Sequence, residues 1–460
     1  MNTESVQESA LTLRHAVAMD TPKAVELWLE VVDDPAERVR QLARLSSADR
    51  HRLGELLNPQ TGTELFESID YSLAAKVVKS QPVSRGAELI GALQPHRAAD
   101  ILRRFDNAAR DALLTAMPIE RAKLLRGSLY WSTDCVAAHM MTEPITLTQT
   151  TTAEQAVEQI RARMTQRRRD TRVGAQVYVT DPDQHLIGAV PFRELVLAEA
   201  NAQVSDLSEG EVVTTGPLTA AEEAAHLLVD RRLSEMPVVD ADGRLLGVLT
   251  EADALDIIEV QATEDAEKQG GSTPLDVPYL SASPWLLWRK RIVWLLVLFA
   301  AEAYTGTVLR AFEDEMEAVV ALAFFIPLLI GTGGNTGTQI TTTLVRAMGT
   351  GQVRLRDLPA VVAKELTTGA MIAVMMALAA MIRAWTLGVG PQITVTVCVT
   401  VAAIVMWSAF VSSILPLVLK KVRIDPAVVS APLIATIVDG TGLMIYFMVA
   451  HATLPQLAGL

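Results

Sequence analysis

The chain has 460 residues, half of them hydrophobic, with 53 Asp/Glu against 40 Lys/Arg and a formal net charge of −13. That length is too great for one ordinary core and predicts several domains. From Trp285 onward 12 Lys/Arg stand against 9 Asp/Glu, which leaves 28 basic and 44 acidic residues before it. So acidic a first part argues against a nucleic-acid surface and suits either cation attraction or plain solubility. Cys135 and Cys398 are the only cysteines, so no disulfide framework is expected and a reducing cytoplasm fits. The opening MNTESVQESALTLRHAV lacks the basic-then-apolar signal pattern, which predicts that the first part stays inside the cell.

In chain order, residues up to about Trp131 read as helical. Arginine-led units recur about every 12 residues, at Arg85, Arg97, Arg110 and Arg121. Each is the length of one short amphipathic helix, and stacking them predicts a small superhelix. The basic run Arg161, Arg163, Arg167, Arg168, Arg169 and Arg172 reads as a solvated helix face and loop.

Two similar stretches then recur at an offset of 59 residues: Val179–Gly188 and Val238–Gly247. Each reads as strand, acidic turn, strand and helix (Phe192–Leu197 and Ala252–Val260), with another helix ahead at Ala153–Met164 and Ala220–Asp230. This tandem β-α-β-β-α pattern over Thr142–Gln261 resembles a pair of CBS domains. The second copy ends Gly247-Val-Leu-Thr250-Glu-Ala-Asp253, the pattern that binds adenine nucleotides such as ATP in many such pairs. There Thr250 would meet a phosphate and Asp253 the ribose hydroxyls. The first copy lacks both groups, so at most one nucleotide site is expected. A helix is expected after Gln261, linking the soluble part to the apolar half.

Five segments of that half are long and apolar enough for helical spans: near Ile292–Arg310, Ala318–Leu344, Leu358–Ile382, Ile393–Leu419 and Pro426–Leu454. Arg289–Arg291, Arg346, Arg354, Arg356, Lys420, Lys421 and Arg423 mark one side; the acidic loop Phe312–Glu317 marks the other. Basic loops stay cytoplasmic, which predicts the N-terminus inside and the C-terminus outside. Asp439 sits near the middle of the last span, where an isolated carboxylate needs a cation, a proton or an arginine. Glu302 in the first span reads either as a carboxyl bonded between helices or as one facing a pore entrance. Lys364 and Glu365 read as a self-satisfying pair at the cytoplasmic edge. The second span holds Gly331-Thr-Gly-Gly334-Asn335-Thr336-Gly337-Thr-Gln339. It reads either as a close-packing seam or, taken with Asp439, as a wall that meets a hydrated ion. Gly331, Gly334, Thr336 and Gln339, with Pro432 and Thr436 of the last span, form the expected pore lining.

The order of these parts, with ALAFFIPLLIGTGGNTGTQ, VRIDPAVVSAPLIATIVDGTGLMIYF and the linker ATED, resembles the MgtE-type magnesium transporters along nearly the whole chain. The resemblance implies an α-helical membrane protein of five transmembrane helices carrying a superhelical N-domain and an α/β tandem CBS pair. It implies a homodimer in the bilayer of a bacterial inner membrane that moves Mg2+ and has no enzymatic activity. The implied divisions are 1–131, 132–261, 262–284 (a plug helix) and 285–460. Asp439 would be the central ion ligand with Asn335 beside it; Ala431 stands where some members have asparagine. In the family, magnesium also bridges acidic residues of the soluble part and closes the pore, and Asp134, Asp253, Asp256, Glu264 and Asp265 remain of that set. His96-Arg97, Arg231-Arg232 and Gln261 replace acids. Arg97 and Arg232 could therefore act as built-in cations that weaken gating by magnesium; the alternative is a rearranged acidic site.

Other readings stay open. Cobalt or manganese could use the same fold, though His451 is the only histidine after His226 and softer metals favour imidazole. A CBS-bearing anion channel would need Arg or Lys at mid-membrane. No GxxxxGK[ST] loop is present, which counts against a pump.

Overall fold

The computed structural model describes residues 12–166, 175–208, 212–428 and 431–457, side chains at 163–166 excepted. The chain divides into two compact units, Met1–Gln261 with Asp276–Ser281, and Ala262–Leu275 with Ala282–Leu460.

The first unit opens on short helices: α1 (Leu13–Ala18), α2 (Pro22–Val31), α3 (Pro35–Ala43), α4 (Ser47–Leu56), α5 (Pro59–Glu67), α6 (Tyr71–Lys79), α7 (Val83–Gly91), α8 (Pro95–Leu102), α9 (Asn107–Thr115) and α10 (Ile119–Tyr130). Asp34, Ser46, Asn58, Asp70 and Asp106 each accept a backbone N–H at a helix start. Proline opens α2, α3, α5 and α8, where its missing N–H is not needed. Such short helices do not hold alone; they share one core around Trp28, Leu53, Leu65, Phe66, Leu89 and Ile101. The four arginine-led units fall one each on α7 to α10. Of the basic run, Arg161 is exposed on the next long helix. The other positions of that run, like the first eleven residues, lie outside the described residues or side chains.

The repeat comes next. β1 (Thr146–Thr148), α11 (Ala153–Gln166), β2 (Gln176–Thr180), β3 (Leu186–Pro191) and α12 (Phe192–Leu197) form the first copy. After α13 (Val204–Leu207) come α14 (Ala221–Asp230), β4 (Glu235–Val239), β5 (Leu245–Thr250) and α15 (Glu251–Gln269). β2 and β4, and likewise β3 and β5, start and stop at the 59-residue offset, and each antiparallel pair shifts register at its equivalent point, Val179/Thr180 and Val238/Val239. β1 runs parallel to β2; in the second copy a single parallel bridge, Thr215 to Val238, takes its place. The hairpin turns share one left-handed position, occupied by Gln184 (φ 67°) in the first copy and Gly243 (φ 84°) in the second.

α15 differs from the expectation of a helix that stops at Val260. It is continuous to Gln269, because neither glycine nor proline interrupts Glu251–Gln269. Gly270 and Gly271 then end it, Gly271 at φ 72°, a left-handed conformation that glycine adopts without strain.

Among the described residues of the second unit five helices are long and apolar enough to cross a bilayer: α16 (Pro284–Ala311), α18 (Ile326–Gly349), α19 (Leu358–Leu387), α20 (Pro391–Lys421) and α21 (Ala431–Thr453), with the short α17 (Glu313–Ala318) between the first two. The first helix starts eight residues before the apolar run, on the capping Ser283 and Pro284. The second span is broken: a 3₁₀ segment, Val320–Phe325, leads into α18, whose first turn holds Pro327. α18, α20 and α21 share a core that includes Leu329, Ile404, Val405, Ile434 and Val438. α16 packs on α21, and α19 on α20.

The two copies of the repeat are joined by one buried carboxyl. Glu235 Oε2 accepts the Tyr178 hydroxyl at 2.9 Å, and Glu235 Oε1 accepts the Ala175 N–H at 2.6 Å. Burial, the largest influence, pushes the Glu235 carboxyl up; the two hydrogen bonds pull it down and recover only part. A folded value above the unfolded one means that the native state holds this proton more tightly. The contribution to stability is then full at low pH and lost as pH rises through the folded value. Glu235→Gln should therefore gain thermal stability relative to the wild type between pH 5 and pH 8, measured by melting of the detergent-solubilised chain. An unchanged difference across that range would show that Glu235 does not titrate with folding.

Candidate functional site

Asp439 lies in the ninth position of α21, about 12 Å from the helix start at 1.5 Å per residue. Its Oδ1 is buried and has no hydrogen-bond partner. A buried carboxylate oxygen left bare is costly, so the site has the chemistry of one that takes a cation. The glycines of α18 bring the helices close enough to enclose it. A Cβ on Gly334 would stand 3.6 Å from Asp439 Oδ1 and 3.3 Å from Ala435 Cβ. Gly333 faces Val438 and Ile404, at 2.6 and 2.7 Å from the Cβ position, and Gly337 faces Ile434, Ser408 and Ser412. Ser408 donates to the Gly333 carbonyl at 2.8 Å, which fixes α20 against α18. The glycine stretch is thus a packing seam on one side and a wall beside Asp439 on the other.

Gly331, Asn335 and Gln339 are spaced four apart and exposed together on another face of α18. Asn335 follows Gly334 in the same helix turn and is exposed. Thr336 is buried and donates to Thr332 O at 2.8 Å; Thr436 donates to Pro432 O at 3.0 Å. Pro432 sits two turns before Asp439, where its Cγ is 3.5 Å from a Cβ placed on Gly271. Lys364 is exposed at the start of α19 without an ion pair among the described residues. Two residues that the sequence did not single out pack directly beside the site. At Gly440 a Cβ would meet the Tyr304 ring at 2.4 Å and Thr305 Oγ1 at 3.3 Å. The signal was present: Thr305 lies three residues after Glu302, one turn along the same face.

In the first unit, the acidic positions of α15 already hold cations of the chain's own. Arg97 Nη2 is 2.5 Å from Asp256 Oδ2 and 3.5 Å from Asp253 Oδ1, and Arg97 Nη1 donates to the Tyr71 hydroxyl at 3.0 Å. His96 Nε2 lies 3.4 Å from Asp253 Oδ1, long for a hydrogen bond but close for a charge. Thr250 donates to Asp253 Oδ2 at 2.6 Å. Burial opposes ionisation of Asp253, but His96, Thr250 and Arg97 together outweigh it and hold the carboxyl below the usual range. The Thr250 and Asp253 groups expected to meet a nucleotide are thus engaged with each other, and Asp253 also with α8. In the second unit Lys268 bonds Asp425 at 2.8 Å and lies 3.7 Å from Glu264. Asp265 Oδ2 is 3.7 Å from a Cβ placed on Gly349. Asp134 is exposed and bonds Ser132; Gln261 is half-buried. Arg232 is exposed at φ 53° and makes no ion pair among the described residues. Asp253 and Asp256 do not fit a divalent cation in this arrangement, because Arg97 already occupies their shared side. In the trio Asp181, Asp183 and His185, Asp181 and His185 are half-buried and joined by a bond of 2.7 Å, and Asp183 is exposed.

A stack of short helices, a tandem CBS-type pair and five bilayer-length helices with an unpartnered mid-span carboxylate define a multi-domain membrane protein with a candidate cation site. Family comparisons agree in order along the chain. Residues 33–134 match the MgtE intracellular N domain, 136–201 and 204–260 match CBS domains, and 326–449 match the MgtE divalent cation transporter domain. In the order of these domains the chain resembles the MgtE transporters. It is 38% identical over 278 residues to the magnesium transporter MgtE of Thermus thermophilus, and 30% identical over 285 residues to that of Bacillus subtilis. These alignments span 60% and 61% of this chain and 62% of each relative. A solved cytosolic domain of the Mg2+ channel MgtE in complex with ATP is 24% identical, with a TM-score of 0.48, covering 54% of this chain and 99% of that one.

Removing the buried arginine tests the network on α15. Arg97 and Asp253 are 7% and 6% exposed, so Arg97→Ala leaves a sheltered carboxylate with only His96 and Thr250. The expected loss of stability is about 3 kcal/mol, read by denaturant unfolding. A loss below about 0.5 kcal/mol would mean that the pair has a surface bridge's strength.

Proposed function

We propose that the chain conducts Mg2+ inward across a bacterial inner membrane, with Asp439 as the central ligand. The observation that carries this reading is the sheltered, unpartnered Asp439 oxygen beside the Gly334 wall. Magnesium is a hard cation that keeps its inner waters. An exposed amide stripe at Asn335 and Gln339 offers neutral contacts to those waters, and Asp439 supplies the charge. A divalent ion moving down the membrane potential gains about 2.3 kcal/mol per elementary charge per 100 mV, so no nucleotide hydrolysis is required. That the Thermus and Bacillus relatives are called magnesium transporters supports magnesium, rather than cobalt or manganese, as the ion of this chain. The reading places the first unit in the cytoplasm and the C-terminus outside, in line with the basic loops. It divides the chain at 131, 261 and 284 and treats it as a homodimer.

Uptake into liposomes tests it. Wild-type protein should take up Mg2+, and Asp439→Ala should abolish the flux while eluting as a folded species. Transport by Asp439→Ala at the wild-type rate would overturn the assignment.

The soluble part regulates the pore through α15 in this reading, with a reduced need for cytoplasmic magnesium. Arg97 stands where a bridging cation would otherwise neutralise Asp253 and Asp256. Regulation by an adenine nucleotide at Thr250 and Asp253 would first have to displace the α8 contacts. Channel opening recorded while cytoplasmic Mg2+ is varied should change little up to millimolar levels. Strong closure in that range would reject the built-in cation.

A further inference from the structure

Glu302, a carboxylate within the first span, takes no part in the Asp439 site as built from α18 and α21. α16 and α21 run side by side, and three contacts fix their register. At Gly271 a Cβ would meet Trp294 Nε1 at 2.7 Å and Pro432 Cγ at 3.5 Å, so Trp294 and Pro432 share one level. At Gly440 the neighbours are Tyr304 and Thr305. Further along, the Tyr304 hydroxyl donates to Met444 Sδ at 2.9 Å. Counted from the first of these marks, Glu302 lies eight residues on and Asp439 seven, about 12 and 10 Å at 1.5 Å per residue. The two carboxylates are therefore at nearly the same depth.

About one turn beyond Glu302 on the same helix lies an unsatisfied hydroxyl. Thr305 is 5% exposed, and its Oγ1 has no hydrogen-bond partner although it packs against Gly440, the residue after Asp439. Glu302 itself is exposed. A carboxylate at mid-span cannot face hydrocarbon without a cost of several kcal/mol, so the face of α16 that carries it borders water or another polar surface.

We propose that Glu302 is a second carboxylate of the cation pathway, placed with the Thr305 hydroxyl to hold a hydrated divalent cation beside Asp439. This rests on the reading of Asp439 as the transport ligand. Two carboxylates at one level suit a doubly charged ion, because their mutual repulsion is relieved only when the cation is present. Glu302 then sets how readily the ion is held, and Asp439 whether it passes.

The test is Mg2+ uptake by the full-length protein in liposomes as a function of Mg2+ concentration, for wild type, Glu302→Gln, Glu302→Asp, Thr305→Val and Asp439→Asn. Glu302→Gln should raise the half-saturating concentration at least threefold while keeping the maximal rate within twofold, and Glu302→Asp should restore most of the shift. Thr305→Val should raise it by a smaller factor. Half-saturation within 1.5-fold of wild type in Glu302→Gln overturns the proposal, as does a loss of flux that Glu302→Asp does not restore. If Asp439→Asn transports like wild type, the underlying reading fails whatever Glu302→Gln does, so the two failures are distinguishable.

Discussion

A carboxylate in the middle of a bilayer span is the constraint on which the membrane unit is built. Left bare in hydrocarbon, the charge of Asp439 would cost several kcal/mol, and the helices around it are arranged so that it is not. Glycines at 333, 334, 337 and 440 let α18 and α16 approach α21 closely on either side of the position. Each accepts a neighbour that a Cβ would strike or crowd. The seam and the ion wall are two faces of the same glycine run, which is why its composition alone could not separate packing from permeation.

The second constraint is the acidity of α15. Its carboxylates at 253, 256 and 264 lie along a helix that starts in the first unit and ends in the second. Like charges on one helix repel, and the chain supplies its own relief. Arg97 and His96 sit at the first end, and Lys268 links Glu264 to Asp425 at the other. Burial by itself would weaken the charge on Lys268; the Asp425 bond, with Glu264 and Asp265, outweighs that and keeps the ammonium protonated. Fixed side chains cannot leave as a dissociable ion can, so this relief does not vary with the concentration of any metal.

Much of this architecture was legible because its signals are periodic. The 59-residue offset reproduced strand limits, the bulge and the left-handed turn residue, since each copy must close the same hairpin. The apolar runs gave five spans because bilayer thickness sets a minimum length. Boundaries were less legible where two signals overlapped. Apolar Ala318–Leu344 read as one span, but Pro327 restarts the helix after a 3₁₀ segment. The end of a CBS-type helix and the start of a linker helix merged into α15, because nothing between them breaks a helix. Pairings distant in sequence were legible only by charge: Arg97 found its acids, whereas Arg232, at an equally suggestive position, stands in solvent. Thr305 carried a signal in its spacing from Glu302, but the meeting of Tyr304 and Thr305 with Gly440 was not legible, since it depends on the register of two helices more than 100 residues apart.

The uncovered polar faces point beyond the single chain. Asn335 and Gln339 on α18 and Glu302 on α16 are exposed at span depth, and none is a side chain that lipid tolerates at low cost. A polar stripe of this kind is stable against water or against another polar surface. Elsewhere α16 presents apolar side chains such as Val293, Leu296 and Phe299 to its surroundings, as a lipid-facing helix would. Polar and apolar exposure are thus divided between faces of the same helices. A continuous lipid sheath would demand the opposite, an apolar surface all round. The division suits the cation path proposed above, for which the proposed homodimer would supply an opposite wall.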